Sequence, residues 1–494
     1  MDKKNLTIEE TFALAVKNQQ KNNLHVAEKL YREVININPS HVDANNNLGI
    51  ILLRSRKIQE AINYFEKTIE NKSNHASAHN NLGVAFRQLK NYQRAMVYYE
   101  KAIKIEPSHA SAHDNLGEVF RLLGELQKAR SCHEKAIQIN PKNGNAHSNL
   151  GEVFRLLGEF QKARDCHEKA IEINPKNTES YNSLGTIMNE LGDQQKAISC
   201  YEKTIEIQPN HSNAHNNLGN IFRKLKKFQK AADYFVQSAT IYGNAQFLEC
   251  TYLASGVKPY SELLDTFAKK DPTNLRIAAL ASYVSTKENI KNVYPFCKNP
   301  LNYFFSVNLK NEFESSNQLS ERLLKTSDKL DTSWQVKNLV KNGQQSTGNL
   351  LNKSFFEIIE LKKKIEKQIS IYRNNFKNSN DYFITKWPTI CSLTGWYIKL
   401  KKQGQLKSHI HETGWLSGVL YLKIPKLLKK NEGSINLSLQ GFDYPYDKNL
   451  PNLYFSPKPF DLILYPSSLF HYTVPFDSDE ERHCIAFDLT PKRN

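Results

Sequence analysis

The spacing of apolar residues changes twice along this chain. Up to about residue 245, small and apolar positions follow a 34-residue beat. Residues 349–376 then carry Leu350, Phe355, Ile358, Leu361, Ile365, Ile369 and Tyr372 at helical spacing. From residue 382 onward the apolar residues alternate, or run in short stretches bounded by turn residues. The three regimes predict paired helices, one long amphipathic helix, and a set of strands.

The beat is visible in Gly49, Gly83, Gly117, Gly151, Gly185 and Gly219, and in Ala27, Ala61, Ala95, Ala129, Ala163, Ala197 and Ala231. Pro39, Pro107, Pro141, Pro175 and Pro209 close the units, with Ser73 in one slot. Gly and Ala at helix crossings allow close approach, and Pro ends the second helix of each pair. Seven helix-turn-helix units are therefore expected over residues 8–245, followed by a helical cap and linker over 246–292 where the signature is lost. Stacked units of this kind form a solenoid whose concave groove is lined by the first helix of each pair. Along that helix run Asn47, Asn81, Asn115, Asn149 and Asn217, interrupted by Ser183. An amide offers both a donor and an acceptor to a passing peptide, whatever its sequence. A protein or peptide ligand in the groove is expected, with self-association through the repeats as another use. His79, His113, His147 and His215, with Tyr181 and Asn45 in the remaining slots, lie at least one whole repeat apart, too far to share an ion, and read as packing residues. His133 and His167 stand where Phe65, Tyr99, Tyr201 and Phe235 stand in other units.

The C-terminal part, 293–494, holds all four tryptophans: Trp334, Trp387, Trp396 and Trp415. Phe296–Phe304 reads as a first strand. Further strands are expected at 396–402, with a turn at Gly404, and at 416–423, 434–439, 460–465 and 482–489. Antiparallel strands behind one long helix suggest a jelly-roll barrel, so the whole is a multidomain α + β chain. The chemistry concentrates in His409-Ile410-His411, which places two imidazoles on one strand face, and in His471, which brings a third from a distant segment. Three converging ligands that leave positions open suit a redox-active non-haem iron. Arg482 can grip a carboxylate in bidentate fashion. Strand parity puts Arg482, Cys484 and Ala486 on one face, and His483, Ile485, Phe487 and Leu489 on the other.

Composition narrows the picture only slightly. The chain has 494 residues, 39% hydrophobic and 24% charged, with no apolar run of membrane-spanning length. Its first ten residues contain no apolar h-region, so a cytoplasmic, membrane-free protein is expected. The net charge of +17 comes from scattered lysines, many beside acids, which argues against nucleic acid as partner. Cys132, Cys166 and Cys200 recur every 34 residues, which marks a buried repeat position and not a disulfide framework.

The 34-residue units resemble tetratricopeptide repeats, most closely those of the O-linked N-acetylglucosamine transferase, where equivalent asparagines hold an extended peptide. No alternating strand-helix units with glycine-rich loops follow residue 245, which disfavours a glycosyltransferase. The stretch Gly395-Trp-Tyr, His409 through Leu422, Leu464 through His471, and Arg482 resembles the bacterial 2-oxoglutarate/Fe(II)-dependent oxygenases. The likeness extends upstream through Pro295–Pro300 and Gly343–Thr347, over about 200 residues. It implies a double-stranded β-helix that binds Fe(II), 2-oxoglutarate and O2, releases succinate and carbon dioxide, and hydroxylates a C–H bond. His409 and His471 would be iron ligands. Arg482 would hold the far carboxylate of 2-oxoglutarate, with Tyr421 and Tyr397 as candidate second donors. That superfamily has His-x-Asp or His-x-Glu where this chain has His-x-His. Period-2 geometry favours His411 as third ligand; Glu412 is the alternative. The resulting expectation is a dioxygenase acting on a protein or peptide captured by the repeats. Its alternative is a non-catalytic repeat scaffold with a degenerate barrel.

Overall fold

Glycine sets the helix spacing of the repeats. In the computed structural model, which describes residues 6–314, 319–327, 332–333, 339–426, 429–441 and 444–492, antiparallel helix pairs begin at Ile8–Gln20 and Leu24–Ile37 and continue through Ser212–Lys224. Trp334 lies outside the described residues. A Cβ on Gly49 would stand 2.5 Å from the Phe65 ring, and one on Gly83 equally close to Tyr99. Gly117 and Gly151 face the rings of His133 and His167 instead. Replacing Gly83 by Ala should therefore lower solenoid stability by about 1–3 kcal/mol in chemical denaturation, because the facing ring is held by its own packing.

The two histidines that replace aromatic rings differ in their support. His133 Nδ1 meets Asp114 Oδ1 at 2.7 Å. The residue equivalent to Asp114 in the next repeat is Ser148, and both ring nitrogens of His167 are buried without a partner. Burial pushes the His167 pKa down from 6.5 to about 4. The unfolded chain then binds the proton more readily than the folded one. His167 should contribute its full stability above pH 6.5 and lose about 3 kcal/mol of it as pH falls towards 4. His167→Phe, which installs the ring found at Phe65, should flatten that part of the pH-stability curve.

The second histidine column clamps the loops between repeats. His79, His113, His147 and His215 place Nε2 at 3.0, 3.1, 3.1 and 2.8 Å from the carbonyls of Ser73, Pro107, Pro141 and Pro209. Cys132, Cys166 and Cys200 are half-buried, not buried as expected, and all seven cysteines are free thiols. Among the described residues no helix is long and apolar enough to cross a membrane.

The chain divides into two compact units, Met1–Ile221 and Phe222–Asn494. In the second, helices Phe228–Ser238, Ile241–Ser255, Val257–Lys270 and Leu275–Lys287 precede the strands. These are β1 (Phe305–Asn308), β2 (Thr332–Ser333), β3 (Val340–Ser346), β4 (Cys391–Leu406), β5 (Leu416–Lys423), β6 (Ile435–Ser438), β7 (Asn452–Phe455), β8 (Asp461–Pro466), β9 (Phe470–Thr473) and β10 (Arg482–Pro491). They form a seven-stranded antiparallel sheet, β1-β8-β5-β10-β4-β3-β2, and a three-stranded one, β7-β6-β9. The sheets face each other across a shared apolar layer. Ile398, Leu400, Val419, Ile463 and Cys484 of the larger sheet meet Ile435 and Leu437 of the smaller. Alternate residues of the larger sheet, including Tyr397, Leu420, Leu462, Leu464, Ile485 and Phe487, pack with Ile358, Leu361, Ile365, Ile369 and Tyr372 of helix Phe356–Asn375. The architecture is the jelly roll expected from the strand pattern.

Three local expectations need correction. The first strand is Phe305–Asn308, because Pro300 begins a 3-10 turn, Pro300–Tyr303, inside the segment expected to be extended. The long helix starts at Phe356, not at 349; Leu350–Asn352 is a separate 3-10 turn whose Leu351 fills the space above Gly395. Gly404 does not end a strand. Opposite it the register jumps between Lys341 and Gly343, so Lys401–Gly404 bulges and β4 runs on to Leu406.

Candidate metal and carboxylate site

The bulge in β4 leads into the segment that carries two of the three candidate histidines. His409 forms an isolated antiparallel bridge with His471 of β9, the backbone N–H of each donating to the carbonyl of the other at 3.1 Å. The His411 N–H donates to Ser467 O at 3.1 Å, and the Gly414 N–H closes a turn onto His411 O at 3.0 Å. Gly414 is needed there, since a Cβ would lie 2.6 Å from Ser467 Oγ. These bonds bring side chains sixty residues apart onto one face. The ring centroids are 4.2 Å (His409–His471), 5.0 Å (His409–His411) and 5.0 Å (His411–His471) apart. One nitrogen from each of the three lies within 4.8 Å of the others.

The remaining ring nitrogens fix the tautomers. His409 Nδ1 is 2.7 Å from Lys407 O, His471 Nδ1 is 3.2 Å from Leu469 O, and His411 Nδ1 is 2.6 Å from Asp488 Oδ2. Each acceptor favours a proton on Nδ1, which in the neutral rings leaves the Nε2 lone pairs for a ligand. The Nε2 atoms of His409 and His411 are 3.1 Å apart. Acceptors converging without a donor between them suit a cation. Burial, with His411 adding to it, pushes the His409 pKa down to about 4, and burial holds His471 well below its ordinary value. For His411 burial acts in the same direction, but Asp488 outweighs it and the pKa rises. Asp488 in turn accepts from Ser417 Oγ at 2.7 Å, and Ser417 meets Ser467 Oγ at 2.8 Å.

Arg482, at the start of β10, is 2% exposed. Its Nη1 donates to Thr473 Oγ1 at 3.2 Å, and its Cζ lies 5.0 Å from the centre of the Tyr421 ring. Arg482 Nε and the Tyr421 hydroxyl are buried without hydrogen-bond partners. Among the described residues no carboxylate comes within ion-pair distance of this guanidinium. A buried cation without a counter-ion is costly, so the arrangement suits an anionic ligand. A cavity of about 140 Å³ is lined by Arg482, Tyr421 and Trp396 together with all three histidines.

The other candidates fall elsewhere. Glu412, the alternative third ligand, turns away from the histidines to meet Arg276 Nη2 at 2.5 Å. Tyr397, expected beside the carboxylate grip, lies on the opposite face of β4, with its hydroxyl hydrogen-bonded to His483. Strand alternation puts Trp396 and Ile398 in the cavity instead. Asp488 was not anticipated, although it continues the parity of Arg482, Cys484 and Ala486. The asparagine column forms a ladder between repeats. Nδ2 of Asn81, Asn115, Asn149 and Asn217 donates to Asn46, Asn80, Asp114 and Asn182 at 3.0, 2.9, 3.1 and 3.2 Å, and Asn47 Nδ2 to the Tyr31 hydroxyl at 3.3 Å. Among the described residues nothing donates to the carbonyl oxygens of these amides.

Residues 394–488 match the family model described as "Putative 2OG-Fe(II) oxygenase", a span that holds the three histidines, Asp488 and Arg482. Tetratricopeptide-repeat models match residues 30–63, 76–109, 108–176, 143–210 and 177–244. Similar solved structures include MamA, at 24% identity over 33% of this chain and 95% of that one, with a TM-score of 0.30. Pseudomonas aeruginosa pilF shares 19% identity over 42% and 96%, with a TM-score of 0.38. A tetratricopeptide repeat protein from Parabacteroides merdae shares 18% over 52% and 97%, with a TM-score of 0.39. No curated protein matches the chain. The chain thus carries tetratricopeptide repeats on its N-terminal side and, on its C-terminal side, a jelly-roll domain that matches the 2OG-Fe(II) oxygenase family.

Proposed function

We propose that the chain is an Fe(II)- and 2-oxoglutarate-dependent dioxygenase that hydroxylates a protein or peptide captured by its repeats. The observation that carries this reading is the convergence of three imidazoles beside a buried arginine that has no counter-ion among the described residues. His409, His411 and His471 would hold the ferrous ion. Arg482, with the Tyr421 hydroxyl beside it, would hold the far carboxylate of 2-oxoglutarate. Bound there with O2, iron and 2-oxoglutarate would supply the oxidising power for C–H hydroxylation, with succinate and carbon dioxide as the co-products.

The chain's own part is preparation of the site. Burial keeps His409 and His471 neutral at pH 7, so neither has a proton to release before binding a cation. Asp488 orients His411 and raises its basicity as a ligand. The walls supplied by Trp396, Ile398 and Val419 limit water around the reacting bond. Asp488→Ala should weaken ferrous-ion binding about 10- to 100-fold in an anaerobic titration while leaving the three histidines in place. In the repeats, the free carbonyl oxygens of Asn115 and Asn149 can accept backbone N–H groups of a ligand. Replacing both by Ala should weaken peptide capture without changing metal occupancy. The deciding assay is succinate formation by the purified chain compared with His471→Ala and Arg482→Ala. Equal turnover in all three would remove the enzyme reading.

A further inference from the structure

A second polar cavity backs onto the three-stranded sheet, on the face opposite the histidines. In β6, Ile435 and Leu437 point into the barrel, so Asn436 and Ser438 point away from it. The register aligns Tyr454, Asn436 and Tyr472 across β7, β6 and β9, and the His409–His471 bridge extends that row to Ser408. The cavity here is about 320 Å³ and is lined also by residues of the loop after β6. Described residues of that loop are held by hydrogen bonds: Gln440 Nε2 donates to the carbonyls of Gly441 and Tyr444 at 3.0 Å, and the Tyr283 hydroxyl donates to Pro445 O at 2.8 Å.

Two observations point to a ligand. Asn436 is 2% exposed, yet its Nδ2 has no hydrogen-bond partner, and the Ser408 hydroxyl is buried and equally unpartnered. Orphaned donors of this kind destabilise a fold unless something else satisfies them. The surrounding walls are tyrosines: Tyr444, Tyr446, Tyr454 and Tyr472, with Tyr446 82% and Tyr454 45% exposed. Among the described lining residues the charges are one acid and one base, Asp447 and Lys448, a balanced pair that does not select an ion. The backbone groups of β6 are already paired with β7 and β9, so the strand that carries Asn436 has no free edge of its own. Aromatic faces combined with amide and hydroxyl groups suit a ring that has apolar faces and a rim of hydroxyls.

We propose that this cavity binds a neutral saccharide unit, either free or carried on a protein. The binding does not depend on metal at the histidines. The test is saturation-transfer NMR and calorimetry on the full chain without added metal. The probes are glucose, galactose and mannose, an O-glycosylated peptide, and the same peptide without its sugar. At least one hexose or the glycopeptide should bind in the millimolar range or tighter, and a preference for one arm identifies the source. Asn436→Ala and Tyr454→Ala should each weaken that binding about ten-fold. Tyr454 sits at an exposed strand position, so its removal should leave thermal stability and ferrous-ion binding unchanged. Absence of binding by any sugar probe, undiminished binding in both variants, or equal binding of the bare peptide would overturn the proposal. None of these results would bear on the dioxygenase reading, since no metal is present.

Discussion

His471→Ala should abolish ferrous-ion binding, lowering affinity by more than about 100-fold, because loss of a direct ligand must exceed the 10- to 100-fold effect of losing an outer partner. Its bridge to His409 is made by the backbone, so the substitution leaves the two segments joined. Far-ultraviolet circular dichroism should be unchanged while metal content falls to background. Glu412→Ala is the matched contrast. Glu412 is engaged with Arg276 and not with the histidines, so its removal should leave metal affinity within about two-fold, the ion pair being a half-exposed one of small energetic weight. Loss of metal in Glu412→Ala with retention in His411→Ala would reverse the assignment of the third ligand.

Arg482→Ala should weaken 2-oxoglutarate binding by about 2–5 kcal/mol, which is roughly 30-fold or more. The substitution should not destabilise the free protein in proportion. Without its co-substrate the guanidinium is a buried cation held by Thr473 and the Tyr421 ring, with no carboxylate partner among the described residues. Arg482→Lys should recover little of the affinity, since a point charge cannot reproduce the two-pronged grip of a guanidinium. Calorimetry with the redox-inert Mn(II) in place of iron measures this without turnover. A large loss of apo-protein stability with unchanged 2-oxoglutarate affinity would assign Arg482 to packing.

What the sequence reveals of this protein follows from how strictly each feature repeats. The 34-residue beat fixes helix pairing because Gly49 and Gly83 each face a ring that a methyl group would strike. Strand parity in β10 separates Arg482, Cys484 and Ala486 from Ile485 and Phe487, and the core clusters follow that division. The same parity argument, carried two residues further, reaches Asp488, and applied to β4 it rejects Tyr397. Features set by tertiary contacts were not legible. The bulge at Lys401–Gly404 depends on the partner strand β3, so glycine there reads as a turn. The partner of Glu412 lies 136 residues earlier in the chain. The ladder role of the asparagine column appears only when residues 35 apart are seen to meet across a repeat boundary. No periodicity marks the unpartnered Asn436 amide, because its significance lies in what it fails to touch.

The most direct measurement is an anaerobic titration of the full chain with Fe(II) and 2-oxoglutarate, followed by visible absorption. A charge-transfer band should appear that saturates at one ferrous ion per chain, vanishes in His471→Ala, and needs far more 2-oxoglutarate in Arg482→Ala. No band in the wild type, or the same band at the same concentrations in His471→Ala, would contradict an iron centre built from His409, His411 and His471.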